Sequence, residues 1–239
     1  KNPGLALPLI ALQYNDDKLG IEFKEVSQCC WATGKYKSTP PTISNASLYV
    51  DYIYLDTEER RQFASQEHEY LIEQLQYNGQ EILNTQSNKI KLNFNHPVKE
   101  LIWVVQRMDV VKTFENDKND YDWVGGNDWF NYTNSRSLLD LEAKNDTFEE
   151  ATLIFNGRMR FGKLPSEYFR YVQPLKYHSN IPENNIYVYS FALKPEEYEP
   201  TGTCDFSCLK EPALVLYRNI KLKSTGCNAV PPGFYKING

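Results

Sequence analysis

The chain has 239 residues, with 26 Lys and Arg against 31 Asp and Glu. The resulting formal charge of −5 leaves no basic excess to hold a phosphate backbone or an anionic bilayer by bulk charge. Its longest apolar run, Leu5 to Leu12, contains Pro8 and falls short of the ~20 residues that a membrane-crossing helix needs. Aromatic residues reach 14%, alongside 13 Pro and 12 Gly, a balance of β-propensity and frequent turns that favours an all-β sandwich or barrel.

Lys1 opens the chain with neither an initiator Met nor a charged region, apolar core and cleavage site, so this is read as neither a signal peptide nor a natural start. A portion of a longer protein is expected. Leu5–Tyr14 and Leu19–Val26 read as strands joined at the turn-favouring Asn15-Asp16-Asp17. A polar stretch from Cys29 to Ser47 follows, and Leu48, Val50, Tyr52 and Tyr54 then resume period-two spacing. Asp56, with Glu59 three residues on, predicts a capped short helix through Ala64.

From Glu69 the strand pattern restarts, with Asn78-Gly79 as a turn signal. Leu101-Ile102-Trp103-Val104-Val105 is apolar at every position and predicts a strand buried on both faces, with Trp103 in the core. Met108 to Ala143 is a long polar connection set with Trp123, Trp129, Phe130 and Tyr132, a length that argues for function. Ala151–Phe155, Asn156-Gly157 and Arg158–Phe161 form a hairpin signal. Pro165 predicts a helical turn running to Tyr171. Strands over 186–193 and Ala213–Leu222 complete the pattern.

The chemistry of a catalyst is missing from this pattern. The pairs Glu58-Glu59, Glu149-Glu150 and Glu196-Glu197 are adjacent, so their side chains diverge. His68, His96 and His178 are far apart and stand in no metal-binding spacing. Cys29, Cys30, Cys204, Cys208 and Cys227 match neither a disulfide framework nor a zinc site and read as reduced thiols. No phosphate loop, dinucleotide fingerprint or nucleophile elbow occurs. No enzyme, cofactor or metal is therefore expected. Sequons stand at Asn45, Asn131 and Asn145, where the lack of a secretory signal favours chance occurrence over glycosylation. Aromatic loops without catalytic groups suit a protein interface, and a carbohydrate-binding β-sandwich is the alternative.

Six strings, taken in order, resemble the major capsid protein of nucleocytoplasmic large DNA viruses. They are Asn2-Pro3-Gly4-Leu5 through Tyr14, Tyr52-Ile53-Tyr54-Leu55 through Arg61, and His68-Glu69-Tyr70 through Gln76. Three more follow: Pro97 through Val104, Phe155-Asn156-Gly157 with Arg160-Phe161, and Tyr187-Val188-Tyr189-Ser190-Phe191 through Cys204. The resemblance implies a double jelly roll, with residues 1–55 closing a first, mostly missing sandwich, 56–66 a connector helix, and 67–239 the second sandwich. It also implies a structural protein of the virion, made in the host cytoplasm. Such a protein self-assembles as homotrimers that form pseudo-hexagonal capsomers, touches neighbouring capsomers and minor capsid proteins, and binds no nucleic acid. In that family long inter-strand loops build outer surface and trimer contacts. The expected subunit contacts are Trp123, Trp129, Phe130 and Tyr132, with Tyr168 and Phe169. One departure stands out: Ser224-Thr225-Gly226-Cys227 and Pro231-Pro232-Gly233 replace the alternating run that would close the sandwich, and two prolines cannot donate to a central ladder. A displaced or truncated last strand is expected.

Overall fold

The computed structural model describes residues 3–12, 18–24, 29, 42–107, 129–134, 146–218 and 235–238. They fall into two units, one of residues 1–26 and 40–75 and the other of residues 27–39 and 76–239.

In the first unit Asp56 and Glu59 make the expected reciprocal cap. The Glu59 amide donates to Asp56 Oδ1 at 2.8 Å and the Asp56 amide to Glu59 Oε2 at 3.0 Å, opening α1 (Thr57–Ser65). No residue of this helix is buried, so caps and the exposed Glu58–Arg61 pair at 3.0 Å hold it locally. The expected strand over Leu5–Tyr14 is different. A 3₁₀ turn at Pro3–Leu5 leads into successive turns, with Ala11 donating to the Pro8 carbonyl and Leu12 to that of Leu9. Pro8 has no N–H to give a ladder, and the chain folds back on itself instead. Residues 18–24 and 42–55 form neither helix nor strand and have no ladder partner among the described residues. Their alternating apolar side chains stand in the open, Leu19 67% and Tyr54 86% exposed.

The second unit is built of strands. These are β1 (Gln80–Leu83), β2 (Ser87–Lys91), β3 (Pro97–Val98), β4 (Glu100–Arg107), β5 (Glu150–Phe155) and β6 (Arg158–Met159), followed by β7 (Leu164–Pro165), β8 (Tyr187–Ser190), β9 (Cys204–Asp205), β10 (Ala213–Tyr217) and β11 (Tyr235–Asn238). All their pairings are antiparallel. One sheet has the order β1-β11-β4-β8 and the other β2-β10-β5-β6, with β7 also on β5, while β3 and β9 form a small separate pair. Successive long strands alternate between the two sheets, and that order is a jelly roll.

The core lies between the sheets. Leu83, Leu101, Trp103, Val105 and Tyr187 from one sheet meet Ile90, Ala151, Leu153, Phe155, Leu214 and Leu216 from the other. Register explains the set: Leu214 stands opposite both Ile90 and Leu153, and Leu216 opposite Asn88 and Ala151, so each strand supplies alternate residues inward. Trp103 is inside as expected, 3% exposed, its ring 5.3 Å from that of Phe169 and 6.1 Å from that of Tyr187. The expectation that both faces of this strand are buried fails at Ile102, which is 48% exposed.

The Asn156-Gly157 hairpin forms with φ of +53° and +76°, the two positive values of a type I′ turn. Asn156 also exchanges bonds with Lys210, its amide donating to the Lys210 carbonyl at 3.0 Å and its Oδ1 accepting from the Lys210 amide at 2.7 Å. The closing strand is present: β11 begins at Tyr235, beyond Pro231-Pro232, and pairs with both β1 and β4. The prolines thus precede the ladder and cost it no donor. Only Ala213–Tyr217 of the strand expected over Ala213–Leu222 is β10, and 219–222 lie outside the described residues.

The helical turn expected from Pro165 is shifted. Pro165 belongs to β7, and the helix is a π turn, Tyr168–Val172, running into α2 (Gln173–Tyr177). The Gln173 amide reaches the Tyr168 carbonyl five residues back. This widened turn sets Pro174 in the first turn of α2, where a missing N–H costs little.

Candidate subunit-contact site

Residues Trp129–Asn134 are strapped to the end of β4. Gln106 Nε2 donates to the Trp129 carbonyl, and Arg107 Nη1 to the Asn134 carbonyl at 2.8 Å. Between these ties Asn131 Oδ1 accepts from the Thr133 amide at 3.0 Å and from Thr133 Oγ1 at 2.7 Å, the local turn that asparagine makes with the residue two further on. Asn131 and Thr133 are buried, Phe130 beside them is 56% exposed, and Trp129 and Tyr132 are half-buried. Burial pushes the Tyr132 hydroxyl above the usual tyrosine range. The polar pair fixes the backbone and leaves aromatic surface facing out.

The structure therefore gathers three of the expected contact residues, Trp129, Phe130 and Tyr132, on one short strap. Trp123 lies outside the described residues. Tyr168 is half-buried, its hydroxyl accepting from Gln173 Nε2 at 2.9 Å. Phe169 is a correction: it has no exposed surface and packs on Trp103, Phe161 and Tyr168, so it is a core residue of its own chain and has nothing to offer a neighbour. The outward face of this helix carries Tyr171, Val172 and Leu175 instead, the last 73% exposed. A helix read as ending at Tyr171 hides that face, whose signal is apolar residues at i, i+1 and i+4 carried past Pro174.

Asn131 is also the wrong place for a glycan, since the asparagine of its sequon is 0% exposed and its carbonyl oxygen is engaged by Thr133. Asn45 is exposed, and Asn145 lies outside the described residues.

Behind the helix a single carboxylate organises the packing. Asp146 accepts from Tyr187 hydroxyl at 2.8 Å, Ser166 Oγ at 3.0 Å, Arg170 Nη1 at 3.1 Å and Asn185 Nδ2 at 3.2 Å. The Arg170 guanidinium lies over the Tyr171 ring at 4.7 Å. Burial first, then the Asp146 charge, drives the Tyr187 hydroxyl far above the usual tyrosine range. This cluster holds the helix, β8 and the approach to β5 together. Cys29, Cys204 and Cys208 are free thiols. Among the described residues no group of three acidic, histidine or cysteine side chains is placed to hold a metal. What the site offers is surface: aromatic and aliphatic side chains on a strap hydrogen-bonded to β4 and on a helix tied to Asp146.

Comparison with known proteins bears on both units. Residues 59–228 match the family model described as large eukaryotic DNA virus major capsid protein, and residues 1–56 match that for the major capsid protein N-terminus. The chain is 41% identical to the major capsid protein of Pyramimonas orientalis virus over 90% of its own length and 51% of the relative. It is 34% identical to that of Phaeocystis pouchetii virus over 100% of its length and 60% of the relative. For Paramecium bursaria Chlorella virus 1 the figures are 36% identity, 96% of the chain and 55% of the relative. Among solved structures, the quasi-atomic model of the PBCV-1 virus capsid is similar with a TM-score of 0.54 and 26% identity, covering 77% of this chain and 50% of that one. The chain thus spans from half to three fifths of the length of these curated relatives.

Proposed function

The chain belongs to the family of large eukaryotic DNA virus major capsid proteins, and from that premise we propose that it is part of a capsid subunit that builds the virion shell by self-association. Three subunits form a capsomer, and capsomers tile through the loops and helix faces at their sides. The observation that carries this reading is the pairing of a jelly roll with aromatic side chains, Phe130 the most open of them, on a strap hydrogen-bonded to the end of β4. Tyr171, Val172 and Leu175 add a second contact face. Negative net charge accords with a shell protein that meets other proteins and leaves the genome alone.

Residues 18–24 and 42–55 of the first unit fit the same reading. Leu19, Ile21 and Phe23, and again Tyr52 and Tyr54, are spaced as strand residues but are exposed, and an amphipathic strand with open apolar positions calls for a sheet to bury it. Residues 1–55 are assigned to a first jelly roll, 56–66 to the connector and 67–239 to the second, in support of which the match to the N-terminal model ends at residue 56.

The test replaces Trp129 and Phe130 with Ser in the complete natural subunit. A few buried aromatics carry most of the energy of an interface, so sedimentation should show a trimer weakened at least about tenfold with the subunit's own thermal transition nearly intact. An unchanged trimer, together with specific binding on a glycan array, would turn the strap into a sugar-stacking platform and overturn the assignment.

A further inference from the structure

Among the described residues β2 ends its sheet, with β10 on one side only. Register fixes which of its backbone groups face the open side. Ile90 stands opposite Leu214, and the Leu92 amide continues that ladder by donating to the Pro212 carbonyl at 2.9 Å. Bonded pairs alternate along an antiparallel ladder, so residues 88, 90 and 92 point their amides and carbonyls at β10, and residues 89, 91 and 93 point theirs away. Such a row of open groups is a template for another strand.

Side chains from residues 76–78, a stretch that is neither helix nor strand, occupy the far end of this row. Asn78 Nδ2 donates to the Lys91 carbonyl at 2.6 Å, and Asn78 Oδ1 accepts from the Asn93 amide at 2.9 Å. Gln76 Nε2 donates to the Asn95 carbonyl at 2.6 Å, and Gln76 Oε1 accepts from the Asn95 amide at 2.9 Å. Each side-chain amide supplies the donor and acceptor of a peptide unit but passes no pairing on, so the sheet stops there. We propose that Gln76 and Asn78 hold shut a strand-docking edge, and that the strand this edge takes when open is the same edge of a second copy.

The guarded groups are those that such a pairing uses. Two copies related by a twofold axis through Asn93 set Asn93 opposite Asn93 and Lys91 opposite Asn95. The Asn93 amide, the Lys91 carbonyl and both backbone groups of Asn95 then bond across the axis, and these are the groups that Gln76 and Asn78 now hold. In the same register Leu92 stands opposite Phe94, which carries the apolar row of Ile90, Leu92 and Phe94 from one sheet into the next. Lys89 and Lys91 are exposed, and this register keeps them from facing each other, where like charges would oppose the pair. The edge is independent of the strap of residues 129–134, so closing it leaves that contact untouched.

The intact chain carrying Gln76→Ala and Asn78→Ala tests this. Amide exchange at Asn93 and Asn95 and sedimentation are read between about 1 μM and about 300 μM, a range suited to a small interface. At the low end protection at these two amides should fall at least about tenfold below that of the native chain, while the β5 amides keep theirs. At the high end it should return, with a mass twice that of the native chain at the same concentration. Adding Asn93→Pro removes the amide at the twofold centre and should restore the native mass. Gln76→Ala alone frees only the Asn95 groups, past the end of β2, and should give the same concentration-dependent change at Asn95, so the test stands even where the double variant fails to fold. Asn95 exchange that matches the native chain in a folded variant, protection that stays low at every concentration, or association that survives Asn93→Pro overturns the proposal.

Discussion

Trp103 shows how much one side chain carries in a thin sandwich. It touches Phe169 and stacks near Tyr187, and its indole N–H is buried with no hydrogen-bond partner. Trp103→Ala should therefore cost about 3–5 kcal/mol by lost burial and a residual cavity. Trp103→Phe, which also removes the unsatisfied donor, should cost well under half of that. Urea titration of the two variants checks both, and a loss below about 1 kcal/mol for Trp103→Ala would place the residue outside the core. Its burial was legible, because a Trp within five apolar residues has few other places to go. The exposure of Ile102 was not, since periodicity cannot say which face of such a strand has a covering layer. Gly202 was equally opaque: at φ +149° its missing Cβ would stand 2.9 Å from the Phe191 carbonyl oxygen, a close approach set wholly by tertiary packing.

At the scale of elements, local chemistry was legible and remote partners were not. The Asp56 cap and the Asn156-Gly157 turn act within four residues, so composition alone announces them. The edge of the second sheet is finished by something no pattern announces. Gln76 Nε2 donates to the Asn95 carbonyl at 2.6 Å and Gln76 Oε1 accepts from the Asn95 amide at 2.9 Å, while Asn78 does the same with the Lys91 carbonyl and the Asn93 amide. Two side-chain amides stand in for a strand and close the backbone beyond β2 to further pairing. The expected helical turn stopped at Tyr171, and the π turn that carries the helix on, with Pro174 in the first turn of α2, has no local sequence signal. That helix is held by the Asp146 cluster, where Arg170 and Asp146 expose about a tenth of their side chains. Asp146→Asn leaves the Arg170 charge buried and unpaired and should cost about 3–5 kcal/mol. Adding Arg170→Met to it should restore a large part of the loss, since the penalty lies mainly in the orphaned charge. A double variant as unstable as the sum of the two single changes would mean that the pair does not act as a unit.

Across the whole jelly roll the decisive contacts join opposite ends of the sequence. β11 lies between β1 and β4, with Glu81 opposite Ile237 and Val105 opposite the same residue on the other side. No window of local sequence contains that information, and a reader who meets Pro231-Pro232 first sees a failed strand. The ladder needs only the four residues after the prolines, Tyr235–Asn238. Without them β1 has no neighbour in its sheet and β4 loses one edge, leaving two rows of backbone donors and acceptors unpaired at the centre of a sheet. Ending the chain at Phe234 should therefore cost about 4 kcal/mol or more, at the far end of what small changes do. It should also release β1 before the rest of the sandwich, with exchange at the 80–83 amides rising first and most. Replacing Lys236 with Pro should act in the same direction by removing one donor from the central strand. Truncation that leaves the thermal transition and the β1 amides unchanged would mean that β11 is dispensable and that the first sheet closes on β4 without it.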